Sequence, residues 1–317
     1  MALPRLLRLP NLALVFLSQW VPYWLVLRPA LLEAGAVPVL NADRFGWIVA
    51  GTVVTALAGY IINDYYDAAI DAVNKPGRAY VGSVLAPGMV LFVYTALVVV
   101  VFGMAIVIDR ILPLPHNHWP LWVFPAVSFA LFIYAWRLKC TPYIGNLLVA
   151  FLCGIVPLIL LLPEERPLWL AAFQMPERIA EAYTQVWTYA LFAFSTNLFR
   201  EQIKDLEDAP GDAACKCHTL PALRGVRFAK IPTAFTGVLL MVLFGLLLHF
   251  WHTRQASGYQ WWAGVLLLLL PAAVATVLVA RGSSQRHFAW ASAMVKLMML
   301  AGLFLLLPIE LILRWIS

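Results

Sequence analysis

The sequence predicts an all-α integral membrane protein with nine transmembrane helices, arranged as two four-helix pseudo-repeats plus one helix. Three observations lead there. The 317-residue chain is 63% hydrophobic and only 12% charged, with a mean hydropathy of +0.84, whereas soluble domains are about 45–50% apolar and about 25% charged. Apolar runs of roughly 20 residues, the length that crosses a bilayer, recur along its whole length. A short acidic pattern also appears twice, four runs apart.

Taken in order, the runs cover 12–31, 43–63, 84–107, 119–137, 142–162, 183–203, 229–251, 260–280 and 288–314. The first follows a short basic lead with Arg5 and Arg8. Without a small-residue cleavage site, and with further spans behind it, this lead is not a signal peptide. Thirteen Trp suit the two membrane interfaces. The longest polar connections are 64–83, 163–182 and 204–228, and no stretch reads as a separate soluble module, so residues 1–317 form a single domain.

Orientation follows from Lys and Arg. With the N-terminus in the cytoplasm, that side holds fourteen of the 22 basic residues: Arg5, Arg8, Lys75, Arg78, Arg137, Lys139, Arg200, Lys204, Lys216, Arg224, Arg227, Lys230, Arg281 and Arg286. The positive-inside rule favours this arrangement. The net charge of +6 is scattered over short loops rather than gathered in a run, so no nucleic-acid partner is implied. Of the four cysteines, Cys215 and Cys217 form a C-x-C-H with His218. Lacking a second pair, this is a poor zinc site. The expectation is ordinary cytoplasmic thiols with no disulfide framework.

The acidic pattern carries the chemistry. Six of the eight Asp fall in two segments, Asp64, Asp67 and Asp71, and Asp205, Asp208 and Asp212. Both sets have i, i+3, i+7 spacing, which on a helix puts three carboxylates on one face. They are offset by 141 residues, at the ends of the second and sixth runs; this offset is the basis of the pseudo-repeat. Like charges so close repel unless a cation joins them. Oxygen ligands suit Mg²⁺, which takes one or two carboxylates plus substrate phosphates. A single acidic cluster is equally well read as a solvated helix end, but two of matched spacing at equivalent places are not.

Basic residues flank both sets: Lys75 and Arg78 after the first, Arg200 and Lys204 before the second, Lys216 after it, and Arg137 and Lys139 between the fourth and fifth runs. Such groups neutralise a diphosphate. With Mg²⁺ they would stabilise charge on a departing diphosphate. A non-enzymatic alternative, a cation-coupled membrane transporter, would place its acids near the bilayer midplane, whereas these sit at helix ends beside Lys and Arg. Lys296 in the last run either serves the site or pairs with a buried polar group. Asp109, Glu164, Glu165, Glu177 and Glu181 are expected to be solvated loop charges on the opposite side.

The N-D-x-x-D-x-x-x-D of residues 63–71, followed by Asn74 and Arg78, and the D-x-E-D-x-x-G-D of 205–212 resemble the UbiA superfamily of intramembrane prenyltransferases. The likeness covers essentially the whole chain. It extends to Arg8 and Asn11, Tyr134, Leu138-Lys139, Gly145-Asn146 and Thr219-Leu220-Pro221. It implies helices around a central cavity, with the two aspartate sets facing each other over Mg²⁺ and a prenyl diphosphate. The six aspartates would then be metal-binding and catalytic. Asn11, Asn63, Lys75, Arg78, Tyr134, Lys139, Asn146, Arg200, Lys204 and Lys216 would bind substrate.

The stretch from Asn197 to Asp208 looks like the R-E-x-x-K-D-x-E-D pattern of digeranylgeranylglyceryl phosphate synthases, which alkylate the hydroxyl of a glycerol phosphate ether lipid. Arg200 and Lys204, one turn apart, would be spare positive charges for the acceptor phosphate. Residues 78–82, Arg-Ala-Tyr-Val-Gly, depart from the Arg-Pro usual after the first cluster, so an aromatic or quinone-precursor acceptor stays open as the alternative. In either case the partners are a prenyl diphosphate, a lipid or aromatic acceptor, and membrane lipids.

Overall fold

The computed structural model describes residues 8–74, 81–113, 117–254 and 258–305. Lys75 and Arg78 lie outside the described residues. Among those described there is no strand, only an isolated bridge between Val81 and Leu85.

The helices are α1 (Leu9–Glu33), α2 (Ala42–Asn74), α3 (Pro87–Ile111), α4 (Pro120–Trp136), α5 (Ile144–Leu161), α6 (Glu165–Gln174), α7 (Pro176–Ala214), α8 (Leu220–Arg224), α9 (Val226–Arg254), α10 (Trp261–Arg281) and α11 (Gln285–Leu305). Seven of them are long and apolar enough to cross a membrane: α1, α2, α3, α5, α9, α10 and α11. The protein is therefore an integral, multi-pass membrane protein. Helix α4 is apolar but has only 17 residues. Helix α7 is long but carries too many polar groups to qualify by composition.

Local chemistry sets several boundaries. Gly35 adopts φ 71° after α1, and Ala36 N–H reaches back to Leu31 O at 2.9 Å, the left-handed stop that glycine permits. Asn41 then caps α2, its Oδ1 accepting Arg44 N–H at 2.9 Å. Pro87 and Pro120 open α3 and α4 at first-turn positions where no N–H is required.

Length decides where the acids sit. Helix α2 has 33 residues and α7 has 39, roughly 50 and 58 Å at 1.5 Å per residue. A hydrocarbon core is about 30 Å thick. Both helices are therefore longer than that core, and in each the aspartates lie in the C-terminal turns.

The chain divides into two compact units, Met1–Leu138 with Leu152–Ala190, and Lys139–Phe151 with Leu191–Ser317. In the first, Tyr23 stacks on Phe45 with centroids 5.0 Å apart. Glu164, read from sequence as a solvated charge, is instead fully buried. Its carboxyl accepts Val39 N–H at 2.9 Å and Leu40 N–H at 2.8 Å, and lies 3.0 Å from Tyr23 Oη. Asp109 is also buried, 3.1 Å from His118 Nδ1. For Glu164 the cause is that the turn at Val39 and Leu40 has backbone donors to satisfy, and one carboxyl satisfies both. In the second unit, Phe192, Phe199, Ile203, Phe244, Ala272 and Met298 belong to the core. Gly237 on α9 approaches α10 so closely that a Cβ would meet Thr276 Oγ1 and the Phe199 ring.

Candidate active site

In the first unit, α2 runs unbroken from Ala42 to Asn74. Asp64, Asp67 and Asp71 therefore do share a helical face. Asp64 forms an ion pair and hydrogen bond with Arg8, whose residue takes up a positive φ just before α1. Arg8 also lies over the Tyr60 ring, 5.2 Å from its centroid. Asp67 is buried, and Asn63, one turn earlier, donates Nδ2 to its Oδ2 at 2.6 Å. Tyr134 is buried in this unit, and Asn11 is half-buried near the start of α1.

In the second unit, α7 remains helical to Ala214, so Asp205, Asp208 and Asp212 repeat the pattern. Asn146, in the first turn of α5 and buried, donates Nδ2 to Asp205 Oδ2 at 2.8 Å. Asp212 is buried and accepts from Thr219 Oγ1 at 2.9 Å. Tyr143, Asn146, Gln202, Asp205, Leu220 and Thr233 border a cavity of about 10 Å³, room for one water-sized occupant.

Three carboxylates thus share one device. Asn63, Asn146 and Thr219 each fix one carboxylate oxygen with a neutral donor. That orients the group without itself neutralising the carboxylate, as expected of carboxylates meant for a cation.

Immediately before the second set lies a correction. Arg200 and Lys204 are not spare charges. Arg200 Nη1 donates to Glu201 Oε1 at 2.9 Å, and Lys204 Nζ to Glu201 Oε2 at 3.0 Å. Glu201 is buried, so its charge needs these partners. The trio keeps a net charge of +1. Arg200 Nε is buried with no hydrogen-bond partner, and so is Gln202 Oε1. Lys139 lies in a short 3-10 turn, and Lys216 is exposed beyond α7. Sequence reasoning gave no role to Glu201 or Gln202, although Glu201 is visible as the acid between two bases.

A second correction concerns the thiols. Cys140 and Cys217 are joined by a disulfide, with Cα atoms 4.7 Å apart. The fold brings together cysteines separated by 77 residues, which no local spacing reveals.

Mg²⁺ fits these residues in one particular way. Among the described residues no three Asp, Glu, His or Cys side chains converge as a metal-holding group. A preformed cage, such as calcium or structural zinc requires, is not what they build. One or two oriented carboxylates completed by substrate phosphates is the usual Mg²⁺ arrangement, and the oriented aspartates suit it.

Comparison with known proteins agrees with this chemistry. The family model for the UbiA prenyltransferase family matches residues 20–301. A digeranylgeranylglyceryl phosphate synthase of Methanopyrus kandleri is 35% identical over 280 residues, covering 86% of this chain and 87% of that protein. One from Thermococcus kodakarensis is 32% identical over 214 residues, covering 68% and 66%. The fold resembles that of a UbiA homolog from Aeropyrum pernix K1, with a TM-score of 0.60 at 16% identity over 94% of this chain and 98% of that one. It also resembles a UbiA homolog from Archaeoglobus fulgidus bound to DMAPP and Mg²⁺, with a TM-score of 0.51 at 13% identity over 96% and 99%.

Proposed function

The chain belongs to the UbiA prenyltransferase family, and from that premise we propose that it transfers a prenyl group from a prenyl diphosphate to the hydroxyl of a glycerol phosphate ether lipid such as geranylgeranylglyceryl phosphate. The observation that carries the acceptor assignment is the Arg200–Glu201–Lys204 cluster, one residue before Asp205. A net positive charge gathered on the buried Glu201, with an unpartnered Arg200 Nε donor, suits a phosphate brought by the acceptor. The kinship to digeranylgeranylglyceryl phosphate synthases across nearly nine-tenths of both chains supports the same choice.

In this reading both aspartate sets serve one reaction. Asp64, Asp67, Asp71, Asp205, Asp208 and Asp212 would hold Mg²⁺, which when bound offsets negative charge on the diphosphate as it departs. Asn63, Asn146 and Thr219 keep carboxylates aimed, so that little reorganisation accompanies the reaction. Lys139 and Lys216, with Lys75 and Arg78, add cationic contacts to the phosphates. Asn11 and Tyr134 belong to the same substrate surface. The apolar spans exclude water from the reacting carbon, so the acceptor hydroxyl has no competitor.

We further read nine spans rather than seven, counting α4 and the 183–203 part of α7. The two acidic motifs mark a four-helix unit used twice, and the N-terminus and acidic loops face the cytoplasm. Support comes from the lysine and arginine distribution and from the 141-residue offset.

The test is product identity. Purified protein in lipid nanodiscs with Mg²⁺, geranylgeranyl diphosphate and geranylgeranylglyceryl phosphate should yield a product with a second ether linkage by mass spectrometry. If only a phenolic or naphthoic acceptor becomes C-prenylated, the lipid assignment is wrong and the aromatic alternative replaces it.

A further inference from the structure

Cys140 ends the short turn Leu138–Cys140 that carries Lys139, and α5 with Asn146 starts four residues later. Cys217 lies three residues beyond α7, whose last turns hold Asp208 and Asp212. The disulfide therefore ties the segment that orients Asp205 to the segment that follows Asp212. Backbone contacts lie along the same seam. His218 N–H donates to Cys140 O at 3.1 Å, and Cys217 N–H donates to Asp212 O at 2.9 Å. Thr219, two residues on, holds the Asp212 carboxylate. Cys217 is buried, whereas Cys215 presents an exposed thiol.

We propose that the Cys140–Cys217 disulfide is a positioning element for the second aspartate set, and that its reduction loosens diphosphate binding. The kinetic part of this inference rests on the prenyl-transfer reading; the bond itself does not. The controlling step is thiol–disulfide exchange with a dithiol reductant. One thiolate of the reductant attacks a sulfur of the pair and releases the other as thiolate. The reductant's second thiolate then resolves the mixed disulfide. Two electrons pass from the dithiol to the pair, giving two cysteine thiols and one oxidised, disulfide-form reductant. Such exchange is meaningful on a cytoplasmic face, where disulfides are uncommon and tend to be redox-active.

With the bond open, the Lys139–Asn146 segment loses its covalent tie to the end of α7 and keeps only non-covalent contacts, among them His218 N–H to Cys140 O and Asn146 to Asp205. Ordering it again on binding should cost roughly what immobilising one long side chain costs. Apparent affinity for the prenyl diphosphate should therefore fall about five- to tenfold, with kcat changed less than about twofold.

The experiment uses the full chain in nanodiscs. Thiols are blocked with N-ethylmaleimide, the protein is digested without reductant, and a Cys140–Cys217 linked peptide is sought by mass spectrometry. KM for geranylgeranyl diphosphate is then measured as isolated, after dithiothreitol, and after reoxidation with diamide. We expect the linked peptide, a reversible rise in KM on reduction, and retention of that response in Cys215→Ser. The double variant Cys140→Ser/Cys217→Ser should show the reduced-state KM and ignore dithiothreitol. Should that variant fail to fold, the wild-type reduction and reoxidation cycle carries the test, with circular dichroism to establish that the fold persists. Alkylation of both cysteines with no linked peptide in either redox state overturns the bond. A linked peptide with one KM in all states overturns the positioning role. If no prenyl transfer occurs in any state, the substrate reading has failed. Calorimetric Kd values for Mg²⁺ with geranylgeranyl diphosphate, oxidised against reduced, then decide the disulfide's role.

Discussion

Replacing Asn146 with Leu removes one hydrogen bond and little else. The side chains are similar in size, and Asn146 is 4% exposed, so the apolar substitute is tolerated sterically. What goes is the 2.8 Å donor to Asp205 Oδ2. A hydrogen bond to a charged group contributes about 1.5–3 kcal/mol. Since each 1.36 kcal/mol of barrier is a factor of ten, the expected loss in kcat/KM is roughly 10- to 150-fold. The upper part of that range applies, because the site is buried and water cannot readily replace the donor. Asp205 would also lose its fixed orientation, so the Mg²⁺ concentration for half-maximal rate should rise. The assay is initial rate against geranylgeranyl diphosphate over a Mg²⁺ series, with the thermal midpoint measured in parallel to exclude unfolding. An Asn146→Leu enzyme within about threefold of wild type, with the same Mg²⁺ dependence, would refute the orienting role.

Four further outcomes are expected. Asp64→Ala should lower kcat by about 10²–10³, the scale for losing one charge-stabilising group, and single-turnover rates measure it; near-normal turnover would make Asp64 structural. Arg200→Gln should raise KM for the glycerol phosphate acceptor more than for the prenyl diphosphate, and equal rises in both would point to a shared phosphate contact. Gly237→Leu should destabilise the protein by about 1–3 kcal/mol through overpacking against Thr276 and Phe199, read as a lowered thermal midpoint. Glu164 lies in the turn after Leu161, outside the spans, and burial raises its pKa above the usual carboxyl value despite opposing backbone hydrogen bonds. A carboxyl raised on folding binds more protons in the folded state, so its stabilising contribution is present below the unfolded pKa and is lost as pH rises through the folded one. Glu164→Gln should accordingly gain thermal stability relative to wild type as pH increases from about 4 to 8, and a constant difference across that window would contradict the shift.

Seven spans were legible because a bilayer imposes a length and a composition on anything that crosses it, and seven of the apolar runs fall, within the described residues, on helices long and apolar enough to cross. The two acidic faces were legible because i, i+3, i+7 spacing has one geometric meaning once the helix continues, and α2 and α7 do continue past their apolar stretches. Partnerships across long sequence distances were not legible. Asn146 and Asp205 are 59 residues apart, and Tyr23 and Glu164 are 141. Nothing local in either pair encodes the other. The sign of an error also has a physical source. Glu164 and Asp109 look like loop charges because most acidic residues near helix ends are solvated. Glu164 is buried where the Val39 and Leu40 N–H groups and the Tyr23 hydroxyl need an acceptor, and Asp109 is buried against His118.

Glu201 shows how the same limit bears on function. In sequence it looks like one more acid beside the aspartates, and adding its charge to theirs would make the metal site harder to assemble. In the structure it faces the other way electrically, compensated by Arg200 and Lys204. A buried carboxylate between two cations fixes both of them more firmly than solvent would, because each would lose a partner by moving. Their direction is thereby set before any substrate arrives, and only one of the two positive charges is consumed in setting it. Under the proposed reaction one phosphate-bearing lipid would bind and a larger one leave, and a modest net positive charge suits a contact that must form and break. Glu201→Gln would therefore be expected to do two opposing things: to free charge for tighter phosphate binding, and to loosen the geometry that directs it. The variant should show a lower KM for the acceptor together with a lower kcat, a combination that simple loss of a binding residue does not produce.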